Sequence, residues 1–172
     1  GDKNYSYAYY KQSNNIDLVG HASQPIGCSL DSAFYGNYDG DGFAITNMNI
    51  SDIHSMYIGL FGVNGGSVRK ISLQNAKIVI KEKEKNSGVI YAGLLSGAVI
   101  GSSDGDTIQN ASINNCEIRD GTISVTCQCH VLSGAICGYT SCATIDNVLT
   151  DSVVSIDTGM SSVSVGGAIG AV

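Results

Sequence analysis

Apolar and polar residues alternate along most of this chain. Ile71, Leu73, Ile78 and Ile80 form one such series, and Ile108, Ile113, Ile118 and Ile123 another. A period of two puts the apolar set on one face of a strand. The runs are short and punctuated by Gly, Asn and Asp, which predicts many short strands joined by tight turns. A longer pattern lies over this one. "ITNMNISDI" from Ile45, "VRKISLQNAKI" from Val68, "IQNASINNCEI" from Ile108 and "IDNVLTDSV" from Ile145 are variants of one unit. Each is followed by a second element, "YIGLFG", "YAGLLSG", "LSGAICG" or "VGGAIG", whose glycines align as Gly59, Gly93, Gly134 and Gly167.

Those glycines recur in steps of 34, 41 and 33 residues, so the length differences fall in loops. A unit with one apolar face has no second layer of its own and must stack on its neighbours. The shortest step, 23 residues from Ile45 to Val68, holds about three strands of five to six residues with tight corners. The expected fold is therefore all-β, a parallel β-helix (β-solenoid) of about five coils. At ~4.8 Å per coil it makes a rod roughly 24 Å long. A β-sandwich is the alternative. It accounts for the alternation but not for the recurrence of one unit.

Charge narrows the partners. The 172 residues carry a net charge of -6, with a pI near 4.7. Nucleic acid is excluded, because phosphate binding needs a concentrated basic patch. The only basic run, "KEKEK" at Lys81–Lys85, is nearly cancelled by its own glutamates and reads as a solvated loop. No apolar run approaches the ~18 residues of a membrane span, so no membrane insertion of this segment is expected.

"QPIG" (Gln24–Gly27), "FYGNYDGDGFAITNMNI" from Phe34, and "GLFG" (Gly59–Gly62) together resemble the GLUG-motif repeat family of bacterial cell-surface, adhesin-like proteins. Such repeats also occur beside the peptidase domain of streptococcal IgA-cleaving metalloproteases. The match runs from about Ile16 to Val172 and is most specific in the first unit; "GLLSG", "GAICG" and "GAIG" depart from it later. The resemblance implies an extracellular, non-catalytic repeat segment on the bacterial surface or secreted. No "HExxH" is present, so peptidase activity does not carry over. The chain then reads as one solenoid domain, 1–172, with an N-terminal cap over about 1–33 and repeats over about 34–172, taken from a longer surface protein.

Three groups of residues are candidates for chemistry. "NYDGDG" places Asn37, Asp39 and Asp41 at alternate positions before Gly42, as in the opening of a calcium loop. The twelfth position is Met48, no ligand for a hard cation, and "DGDG" is strong turn chemistry. Asp39 and Asp41, with Asp104 and Asp106 of "SSDGDT", are therefore turn residues first and calcium ligands second. Cys127, Cys129, Cys137 and Cys142 make a zinc set by number, but Cys-x-Cys on a strand is not the spacing of a zinc knuckle. One disulfide among the four, or free thiols, are the competing states. Cys127 and Cys129 point the same way on a strand, and Cys116 aligns with Ile53 and Ala76 as a buried thiol.

The third group is a polar ladder. Asp52, Asn75, Asn115 and Asp151 align, as do Asn47, Asn110 and Asn147. They read as coil corners, since only Asp52 and Asp151 are carboxylates and about three coils would separate them, beyond the ~5–10 Å of a glycosidase pair. His21, His54 and His130 have no nucleophile at matching spacing, and the tyrosines of "YSYAYY" suit an end cap. The expected function is a non-catalytic adhesin-like or stalk module with no cofactor, mediating binding or display. Its expected partner is a host glycan or host surface protein, and end-to-end self-association is expected from an uncapped sheet edge at Val172. A carbohydrate-active β-helix enzyme and a calcium-stabilised binding module are the alternatives.

Overall fold

The computed structural model describes residues 5–51, 55–104, 107–159 and 162–172. The chain winds into five coils of a parallel β-solenoid. The first holds β1 (Tyr9–Lys11) and β2 (Ile16–Asp17). The second holds β3 (Asn37–Asp39), β4 (Ala44–Thr46), β5 (Asn49–Ser51), β6 (Tyr57–Ile58) and β7 (Phe61–Asn64). The third holds β8 (Ser67–Arg69), β9 (Ser72–Gln74), β10 (Lys77–Ala92) and β11 (Ser96–Ile100). A hairpin of β12 (Ser102–Asp104) and β13 (Thr107–Gln109) leaves the coil here and is antiparallel. The fourth coil is β14 (Ala111–Gly134) and β15 (Cys137–Ser141). The fifth is β16 (Ala143–Thr158), β17 (Val163–Gly166) and β18 (Ile169–Ala171).

Five sides result, each a parallel ladder running along the rod. Tyr9, Asn37, Ser67, Ser112 and Thr144 stack on the first side. Ile16, Ile45, Leu73, Ile118 and Thr150 stack on the second. Ile50, Ile78, Ile123 and Val154 stack on the third. Tyr57, Tyr91, Leu132 and Ser164 stack on the fourth. Phe61, Ser96, Cys137 and Ile169 stack on the fifth. Among the described residues every strand pairing outside the β12–β13 hairpin is parallel, which rules out the sandwich, whose sheets are antiparallel.

Alternation decides what goes inside. Val68, Ile71, Leu73, Ile78, Ile113, Ile118 and Ile123 are all buried in one continuous core. Each contributes about 1.5–3 kcal/mol by leaving water. A second, smaller cluster gathers Tyr57, Val63 and Ala98, with Tyr35, Tyr91 and Tyr139 packed against it. Its rings continue the coil spacing: Tyr57 and Tyr91 stack at 4.9 Å between centroids.

The corners are held by residues that tolerate positive φ. Lys70, Asn115 and Asn147 turn the first side into the second, and Asn47, Asn75 and Asp120 turn the second into the third, all at φ between 49° and 60°. Asn75 Nδ2 donates to Asn47 Oδ1 at 2.5 Å, and Asn147 Nδ2 donates to Asn115 Oδ1 at 2.6 Å. The corner ladders thus differ in membership from the sequence alignment. Asn75 stacks on Asn47 rather than on Asn115, while Asp52 lies outside the described residues.

Three other expectations change. "KEKEK" is part of β10, not a loop, although its pairing with β14 is interrupted between Lys81 and Lys85. Cys116 is buried as expected but packs in the turn position of Ile71 rather than Ala76, because Glu117 pairs with Ser72. The last aligned glycine is Gly166, the partner of Gly134, and not Gly167. The glycines have a steric cause. A Cβ on Gly97 would lie 2.5 Å from the Ile58 nitrogen, and one on Gly138 2.6 Å from the Ala92 nitrogen, so the backbones of the fourth and fifth sides leave no room for a side chain.

A candidate binding surface on the rod

The acidic turn that resembles a calcium loop is a corner tied by ion pairs. Asp41 and Gly42 both have positive φ, and Phe43 N–H donates to the Gly40 carbonyl at 2.9 Å, the pattern of a type I′ turn. Asp39 is buried. Its Oδ1 accepts the Asp41 N–H at 2.9 Å, and its Oδ2 lies 2.9 Å from Arg69 Nη2 on the next coil. The backbone hydrogen bond from Asp41, and then the Arg69 charge, hold its pKa below the usual carboxylate value. Asp41 pairs with Lys11 Nζ at 3.0 Å. Both carboxylates of this turn thus have a cationic partner, Asp39 on the next coil and Asp41 on the preceding one. The side chain of Asp104, and Asp106 as a whole, lie outside the described residues.

The cysteines separate in the same way. Cys127 and Cys129 point to the same face of β14 and are joined as a disulfide, with Cα atoms 5.5 Å apart. Cys137 is a buried thiol and Cys142 an exposed one at a corner. Burial pushes the Cys116 thiol up to about 11 and the Cys137 thiol up to about 12, away from thiolate chemistry. Among the described residues, no three His, Cys, Asp or Glu side chains converge as a metal site would require.

What the sequence pattern did not bring out is an axial groove on the outer wall, beside the first corner. One depression of about 280 Å³ is lined by Asp41, Gly42, Lys70, Ser72, Asn115 and Glu117. A second, of about 330 Å³, continues it past Glu117 to Arg119, Asp120, Leu149, Thr150 and Asp151. Four coils contribute, so the groove extends over about three inter-strand steps, or ~14 Å. Both signs of charge are present and partly neutralised within it: Arg119 Nη2 lies 2.7 Å from Glu117 Oε1. Such a surface offers donors and acceptors along a line, with carboxylates in excess of cations. It suits a neutral polar polymer better than a polyanion. No single stretch of sequence carries this signal, because paired positions of successive coils are 30 to 45 residues apart and only coil register unites them.

No family model and no curated protein sequence matches the chain. A solved structure does: the crystal structure of a putative immunoglobulin A1 protease from Bacteroides ovatus, with a TM-score of 0.54 and 20% sequence identity. The similarity covers 96% of this chain, and the chain spans 66% of that one. At this identity the likeness shows the fold. The class of protein is thus set as a parallel β-solenoid, and no helix among the described residues is long and apolar enough to cross a membrane.

Proposed function

We propose that the chain is a non-catalytic β-solenoid module of a bacterial surface or secreted protein, which displays its outer wall for binding a neutral glycan. The observation that carries this reading is the axial groove, whose polar groups are spread along the rod instead of converging on a reacting centre. The GLUG-like strings and the fold shared with the Bacteroides ovatus protein support an extracellular setting. A glycan array with the wild type, Lys70→Ala and Glu117→Ala tests it. Binding weakened about tenfold or more by either substitution is the expected result.

A second reading has one observation of its own. Glu117, Asp120 and Asp151 share a depression, as a carbohydrate-active enzyme would need. Release of reducing ends from a polysaccharide panel, lost in Glu117→Ala, would replace the binding module with that enzyme.

A further inference from the structure

The two corners that bound the second side are built on hydrogen-bonded amides, and only one of them is complete. Between the second and third sides, Asn75 Nδ2 donates to Asn47 Oδ1, and Asn47 Nδ2 donates to Asp17 Oδ1 at 2.7 Å. An amide at such a corner accepts from the coil that follows and donates to the coil that precedes. The series ends on a carboxylate, which has nothing to donate. Between the first and second sides the direction is the same, but the series breaks off. Asn115 Oδ1 accepts from Asn147 Nδ2 at 2.6 Å, which turns its own Nδ2 toward the third coil. The corner residue there, also at positive φ, is Lys70, whose side chain holds donors and no acceptor. The ladder therefore offers Asn115 no acceptor at this step.

We propose that this break is the subsite for the N-acetyl group of an amino sugar, an inference that rests on reading the groove as a neutral-glycan surface. The break lies at the depression of about 280 Å³, to which the second, third and fourth coils contribute. Two donors line it, the Asn115 amide and the Lys70 ammonium, together with the carboxylates of Asp41 and Glu117, which only accept. An acetamido group carries a carbonyl oxygen that only accepts and an N–H that only donates, held apart in one uncharged plane. Its carbonyl completes the ladder by accepting from Asn115 and Lys70, and its N–H donates to a carboxylate of the same depression. The other substituents of a sugar fit less well. A carboxylate would face Asp41 and Glu117, an ammonium would meet the two donors as a third, and a hydroxyl must serve both roles from one oxygen. In a neutral sugar the amide is the N-acetylamino group, which names the class of glycan.

A glycan panel tests this. It holds oligomers of N-acetylglucosamine and of N-acetylgalactosamine, each beside its counterparts with a hydroxyl or a free amine at the same carbon. The N-acetyl form is expected to bind about tenfold or more tightly than either counterpart. Two variants address the corner without breaking it, since Asn and Asp both tolerate positive φ. Asn115→Asp still accepts from Asn147 but loses the donor, and Lys70→Asn supplies the missing acceptor from within the ladder. Each should abolish the N-acetyl preference, and circular dichroism verifies that each folds. Equal binding of the three forms, or binding only to glycans outside this panel, overturns the subsite and leaves the glycan-binding module standing. A preference that survives both substitutions does the same. Binding to no glycan at all overturns both readings.

Discussion

The fourth and fifth coils share a ladder, yet they live in different environments. Ile123 and Val154 are direct partners on the third side, and Val131 and Val163 on the fourth. In the fourth coil these positions are sealed from both directions; in the fifth they are covered from one. The residue types barely change between them. Burial in a solenoid is thus a property of stacking, and each coil takes most of its stability from its neighbours. The corners follow the same rule, for Asn75 and Asn47 satisfy each other only because they lie one coil apart.

That contrast is open to direct attack. Ile123→Ala removes a fully buried side chain and should cost about 2–5 kcal/mol, whereas Val154→Ala should cost only ~1 kcal/mol. Equal losses in urea unfolding would erase the distinction between inner and end coils. Gly97→Ala should cost about 1–3 kcal/mol through backbone overlap, while Gly167→Ala, whose Cβ meets nothing within 4 Å, should stay within ~0.5 kcal/mol. Thermal melts of the pair measure this. A harmless Gly97→Ala would show that the glycine ladder is not steric.

Asp39 sharpens the comparison through pH. Its folded pKa lies below the ordinary 3.8, so its stabilisation is complete above that value and is lost as pH falls through the lower folded one. The contribution of Asp39 to stability should therefore be level at neutral pH and fall as the pH is lowered below 3.8. Asp39→Asn should lower stability at neutral pH by about 1–3 kcal/mol and flatten that slope. An unchanged acid limb in Asp39→Asn would assign the slope to other carboxylates, Asp17 first. A smaller effect than that of Asp39→Asn belongs to the Cys127–Cys129 bridge. It encloses a single intervening residue, so reduction should cost about 1–2 kcal/mol, at the low end for disulfides. A larger fall in unfolding midpoint would mean that the bridge organises more than its own strand.

The alternation of Ile71, Leu73, Ile78 and Ile80, with glycines at coil-length steps, was enough to read an all-β solenoid of about five coils from sequence, because period two and stacking follow from the chain itself. The register was not legible. Apolar residues recur every five positions within a coil, at Val68, Leu73 and Ile78 or at Ile113, Ile118 and Ile123. Sliding one unit by a whole side therefore preserves the pattern, so sequence alone aligns Ile45 with Val68. The folded chain instead pairs Ile45 with Leu73, and Val68 with Ile113.

What selects that register is long-range. The glycines stand where backbones of neighbouring coils approach too closely for a Cβ, and the β12–β13 hairpin absorbs the extra residues outside the coil. The groove from Asp41 to Asp151 and the neutralisation of Asp39 by Arg69 depend on this register too. Sequence by itself determined the strands, the turns and the need to stack, since these are local consequences of side-chain pattern and backbone freedom. Tertiary structure alone decided which residues became neighbours, because contacts across coils join positions 30 or more residues apart and depend on the burial of all five sides at once.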